Sequence, residues 1–175
     1  MPTYVGLRRI VADGPAWLGP AYAPFNTRGQ TRKDMSLDMS AERFSDHRTL
    51  LSGLDRLRRD IDSSGMMSGL DTFETQAFDL ILGNSAMAFD ADQEPGAVRE
   101  RYGKRLGRYL LTARRLCEAG CGFVTINYGG WDMHSRIQRG LDRRAPPLDQ
   151  AVSAFLEDVE QRGLSEKILL VITGG

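Results

Sequence analysis

Apolar residues recur with a helical period over several stretches of the chain and crowd into β-branched runs at others. Behind Ser40, a favourable N-cap, Phe44, Leu50, Leu51, Leu54, Leu57 and Ile61 repeat near 3.6 residues, which predicts an amphipathic helix from Ser40 to Asp62 closed by Ser63-Ser64-Gly65. A second helix is expected from Leu70 to Leu82, with Phe73, Ala77, Phe78 and Ile81 on one face. One or two helical turns fit Val98 to Tyr102. A third long helix fits Leu106 to Ala119, where Leu106, Leu110, Ala113, Leu116 and Cys117 form the stripe and Gly120 supplies the left-handed C-terminal residue. Pro146-Pro147 is expected to open a fourth, because proline is tolerated where helical amides lack partners; Leu148, Val152, Phe155, Leu156 and Val159 would be its buried face and Gly163 its end.

Period-two and continuous apolar runs mark the strands. Thr3 to Leu7 fits a short strand, Phe123 to Tyr128 a second, and Lys167 to Thr173, with Ile168-Leu169-Leu170-Val171-Ile172 at its centre, a strand buried on both faces. Residues 13–29, rich in Gly, Pro and aromatic side chains, read as an ordered surface loop. The last third is then strand, helix, strand, a unit that is right-handed in a parallel sheet and brings both strand C-terminal ends to one edge. The expected class is α/β, a mainly parallel sheet with flanking helices in a single domain. Residues 1–39 give a strand and a long loop, 40–120 a helical region, and 121–175 the strand-helix-strand unit.

Composition narrows the function. Lys plus Arg and Asp plus Glu both total 23, so the formal charge is zero and no nucleic-acid partner is expected. The run of Arg56, Arg58 and Arg59 beside Asp55, Asp60 and Asp62 reads as a solvated helix face. No stretch approaches the ~18 consecutive apolar residues of a membrane span. Met1-Pro2-Thr3-Tyr4-Val5 lacks the basic-then-apolar order of an export signal. Cys117 and Cys121 straddle a helix end, which argues against a disulfide and for two small buried side chains.

The chemistry concentrates in Gly129-Gly130-Trp131-Asp132-Met133-His134, which follows the Phe123–Tyr128 run. On an extended segment Asp132 and His134, two apart, point the same way, so a carboxylate and an imidazole converge as half of a metal site. The same pair also suits a polar turn, with Asp132 capping amides and His134 bonding the backbone. Trp131 and Asn127 are candidates for contacting substrate; Trp131 filling the space under the turn and Asn127 pairing with a neighbouring loop are the alternatives. His47 reads as a surface histidine, Arg114 and Arg115 as partners of acids such as Glu118, and Asp90 and Glu94 as capping and turn residues.

Ala88-Phe89-Asp90, Glu94-Pro95, Arg99-Glu100-Arg101-Tyr102-Gly103, Ala113-Arg114-Arg115-Leu116, the Gly129–His134 cluster and Pro147-Leu148-Asp149-Gln150-Ala151 occur in that order. This ordered set resembles the bacterial domain-of-unknown-function family 1501 (DUF1501), itself similar to the alkaline phosphatase and sulfatase superfamily. The resemblance implies a partial alkaline-phosphatase-like fold and a metal-dependent hydrolase of phosphate or sulfate esters, acting on a small-molecule or polysaccharide substrate. Asp132 and His134 would be ligands of a divalent ion such as zinc, manganese or calcium, and no catalytic nucleophile is assigned. The resemblance also implies an exported or periplasmic protein. Cys121 is followed by Gly122-Phe123-Val124-Thr125 and does not begin the Cys-x-Pro/Ser-x-Arg run of sulfatases. Thr173-Gly174-Gly175 departs from the Glu-Phe-Gly-Arg-Thr-Pro that family members carry after this strand, so the chain reads as an internal fragment, expected to be inactive alone. A noncatalytic exported binding or assembly protein that keeps the fold is the alternative function.

Overall fold

A computed structural model describes residues 2–8, 23–26, 46, 49 and 85–174. The helices expected at Ser40–Asp62 and Leu70–Leu82, with His47, lie outside the described residues apart from Asp46 and Thr49, both exposed and helical.

Strand β1 (Tyr4–Gly6) forms where the first apolar run was expected, and β2 (Phe25–Asn26) is a two-residue strand within the stretch read as a loop. Next come a helical turn α1 (Ser85–Ala88), a 3-10 turn at Ala91–Gln93, and the helices α2 (Gly96–Tyr102) and α3 (Leu106–Glu118). Strand β3 (Phe123–Thr125) and helix α4 (Ile137–Gln161) complete the described elements. Both strand pairings are parallel, in the order β2-β1-β3, with Val5 opposite both Phe25 and Val124. The class is therefore α/β with parallel strands.

Helix α3 is the middle layer. Leu106, Leu110 and Leu111 face a core shared with Tyr102 of α2 and Ala151, Ala154, Phe155 and Val159 of α4. Ala113 and Leu116 face a second core with Val5, Leu7, Phe89 and Cys121, beneath the sheet. The predicted stripe thus divides between two neighbours, because a 13-residue helix turns its apolar face as it advances. Gly107 is required where α3 begins: a Cβ there would overlap the Tyr102 carbonyl oxygen. Both long helices end in the same motif. Gly120 (φ +94°) and Gly163 (φ +65°) take left-handed conformations, Cys121 and Leu164 donate backbone N–H bonds to Leu116 and Val159, and Gly120 and Gly163 donate to Cys117 and Glu160.

Four expectations are corrected. Helix α4 begins at Ile137, nine residues before Pro146, and carries both prolines inside it. The amides lost there would have bonded the carbonyls of Asp142 and Arg143, which belong to exposed residues that water can satisfy. Leu156, assigned to the buried face, is 53% exposed, and Ala151, Ala154 and Asp158 are buried instead. The run Lys167–Thr173 forms no strand: among the described residues it joins no ladder, Leu169 is 86% exposed, and only Ile168 and Leu170 pack on the α3/α4 core. Apolar, β-branched composition favours a strand only where an edge is there to pair with it. The second expected strand likewise stops at Thr125 rather than Tyr128.

Candidate functional site

The Gly129–His134 cluster follows β3 and leads into α4 without regular structure of its own, as the two glycines suggest. Gly130 takes a left-handed conformation at φ +93°, and a side chain there would also displace the Arg144 guanidinium that lies against it. Two further contacts tie the segment to the helix. The Tyr128 hydroxyl donates to the Arg144 carbonyl at 3.2 Å, and the Trp131 ring meets Tyr128 edge-on at 5.8 Å. Trp131 is at the margin of exposure and packs against Tyr128. Asn127 is half-buried two residues past β3.

Asp132 and His134 do converge. His134 Nδ1 stands 3.4 Å from Asp132 Oδ1, with the side chains 83% and 90% exposed. Two ligand atoms each about 2.1 Å from a tetrahedral zinc are themselves about 3.4 Å apart, so the pair has the bite of adjacent ligands. The donor set, one imidazole nitrogen and one carboxylate oxygen, suits zinc or manganese better than calcium, which prefers oxygen alone. Among the described residues no group of three or more His, Cys, Asp or Glu side chains is placed to hold a metal ion, so the pair has two donors and no third beside it.

Far more heavily buried is a cluster of charges between α2, α3 and α4. Arg114, with no exposed surface, sits between Glu94 (Nη2 to Oε1, 2.9 Å), Asp158 (Nε to Oδ2, 3.0 Å) and Glu118 (Nη1 to Oε2, 2.7 Å). Its Nε and Nη2 contacts lie off the N–H axes, so they act as charge pairs more than as in-line hydrogen bonds. Arg115 adds a close contact to Glu94, Arg162 bonds Glu94 and Asp158, and the Tyr102 hydroxyl donates to Asp158 at 2.9 Å. Burial alone would raise the Glu94 carboxyl, but the guanidinium groups of Arg114 and Arg115 against it outweigh that and hold the group below its ordinary value. Asp158 is likewise held low against burial, by Arg162 and Tyr102. Burial and the Asp158 carboxylate push the Tyr102 phenol up.

The expected Arg114–Glu118 pair is present as one arm of this network. Asp90 caps the 3-10 turn by accepting from the Asp92 amide at 3.1 Å, as expected of a turn residue, whereas Glu94, read the same way, is buried inside the ion cluster. Asp158 and Arg162 were missed. The signal that would have found them is the i,i+4 acid–base spacing on the apolar side of α4. Cys117 and Cys121 are free thiols, half-buried and buried, and burial raises both.

The cluster has a measurable acid signature. Both carboxylates are depressed in the folded state, so their stabilisation is complete above the unfolded carboxylate pKa and is lost as pH falls through the folded values. The urea midpoint is expected to hold from neutral pH down to about pH 5 and then to fall steeply. A midpoint that stays level to about pH 3 would contradict the cluster's role.

The model of one protein family, described as Protein of unknown function (DUF1501), matches residues 7–175. The chain belongs to DUF1501. No curated protein and no solved structure matches it. For this DUF1501 chain two kinds of charged group are therefore distinguishable on geometry: a sealed ion cluster that holds three helices together, and an open Asp/His pair on a loop tied down by Tyr128 and Arg144.

Proposed function

We propose that this chain supplies part of a metal-dependent hydrolase of phosphate or sulfate esters, built on an alkaline-phosphatase-like sheet, in which Asp132 and His134 ligate a divalent ion. The observation that carries the reading is the 3.4 Å approach of an exposed imidazole to an exposed carboxylate, on the loop that follows a parallel strand. Ligands of open parallel sheets bind outside the strands' C-terminal ends, where loops can present side chains to a shared crevice. An ion there would act as a Lewis acid on an ester oxygen. Asn127 and Trp131, on the same segment, would contact a bound ester, the first through its amide and the second through its ring.

Zinc and manganese titrations of the intact protein, alongside Asp132→Ala and His134→Ala, test the assignment. Each substitution is expected to weaken binding by at least about tenfold, since even groups that only orient a ligand are worth that much. Metal affinity unchanged from the parent protein in both variants sinks the ligand roles. Turnover of aryl phosphate and aryl sulfate monoesters, measured with and without chelator, tests the reaction class. Tight metal binding without turnover would favour an exported binding or assembly protein.

A further inference from the structure

The first turns of α4 build a concave surface that the Asp132/His134 pair does not use. A pocket of about 370 Å³ is lined by Arg136, Arg139, Arg143 and Arg144, with Met133, Ser135 and Gly140 completing the wall. That volume lies within the roughly 300–1,000 Å³ of small-molecule sites. Extension of α4 upstream of its prolines creates the cluster, since spacings of three and four residues bring Arg136, Arg139 and Arg143 to one face.

The charges set this pocket apart. Of the described arginines outside it, Arg99, Arg101, Arg108, Arg114, Arg115 and Arg162 each have a carboxylate within 4 Å, and Arg8 and Arg105, which do not, stand apart from one another. Among the described residues no carboxylate lines the pocket, and none of its four arginines is in an ion pair. The nearby acids are engaged elsewhere: Asp142 accepts from Gln138 at 2.8 Å and Asp132 faces His134. Like charges around one cavity repel, and an anion entering it relieves that repulsion. One guanidinium is already placed, because Arg144 Nη1 donates to the Gly140 carbonyl at 3.5 Å and its side chain lies against Gly130.

The geometry points to a binding site for a small ligand carrying two or more tetrahedral oxyanion groups, phosphate or sulfate, held by Arg136, Arg139, Arg143 and Arg144. Guanidinium forks match such oxygens two at a time, and a single oxyanion bridged by two forks would leave the other two arginines unpaired. The site stands on the pocket alone and does not depend on the hydrolase reading.

Inorganic pyrophosphate and orthophosphate are the probes, titrated calorimetrically into the intact protein in the presence of chelator. Pyrophosphate is expected to bind at least about tenfold more tightly than orthophosphate, and its affinity to fall as salt is raised. Arg139→Gln with Arg143→Gln should weaken pyrophosphate by about tenfold or more, whereas Lys104→Gln with Lys167→Gln, removing the same charge from exposed positions elsewhere, should leave it within about twofold. Asp132→Ala with His134→Ala should bind pyrophosphate as well as the parent, which separates this site from the metal assignment. Equal affinity for both probes, an equal loss in the arginine and lysine variants, or no binding at low salt would overturn the inference; circular dichroism confirms that each variant is folded.

Discussion

Replacing Arg114 by alanine is expected to lower the free energy of unfolding by about 3–5 kcal/mol, the cost of stranding buried partners without their counter-charge. Glu94 and Asp158, with side chains only 6% and 4% exposed, would both lose an ion-pair contact of 3.0 Å or less. Arg115 and Arg162 remain beside them but at the rim, 16% and 32% exposed, and cannot move into the vacated centre without leaving their own positions. Against a total stability of about 5–15 kcal/mol for a domain, such a loss is decisive. Arg114→Lys keeps the charge but not the three-way fork and should fall between parent and alanine. Arg101→Ala, whose pairing with Glu157 is exposed and 3.9 Å long, should change stability by no more than about 1 kcal/mol. Urea denaturation of the three variants checks the order, and a loss for Arg114→Ala no greater than that for Arg101→Ala would remove the cluster from any structural role.

The sequence was legible where a local rule acts alone. Gly120 and Gly163 ended their helices as expected because a left-handed residue closes the last turn whatever lies around it. The Asp132/His134 approach was also legible, since residues two apart on a segment outside any helix can face the same side. What failed depended on neighbours. Lys167–Thr173 has the composition of a buried strand but pairs with none of the described strands, and composition cannot say whether an edge is present. Pro146-Pro147 read as a helix start because the cost of an internal proline is usually decisive, yet the freed carbonyls here belong to exposed residues. That single misreading also hid the arginine pocket, which exists only because residues 137–145 are helical. Glu94 escaped for a different reason: its partners Arg114 and Arg162 are 20 and 68 residues away, and no local pattern reports contacts of that range.

Phe155 and Leu156 separate these two kinds of knowledge in one experiment. Both were assigned to the buried face of α4 on hydrophobicity, yet adjacent residues on a helix point about 100° apart, and only one can be at the centre of a packed stripe. The structure puts Phe155 there, 3% exposed among Tyr102, Leu106, Leu110, Leu111 and Val159, and leaves Leu156 53% exposed. Phe155→Ala should therefore cost about 3–5 kcal/mol through lost transfer energy and the cavity left between α2, α3 and α4. Leu156→Ala removes a side chain of similar hydrophobicity from a site that water already reaches, and should stay within about 0.5 kcal/mol. Because the two substitutions sit side by side in the same helix and both end in alanine, helix propensity nearly cancels between them. Their difference in denaturant midpoint thus reports the rotation of α4 about its axis, the same rotation that buries Asp158 against Arg114 and Tyr102. Equal losses would mean that the helix is turned from the orientation described, and the ion cluster would have to be rebuilt along with the hydrophobic face.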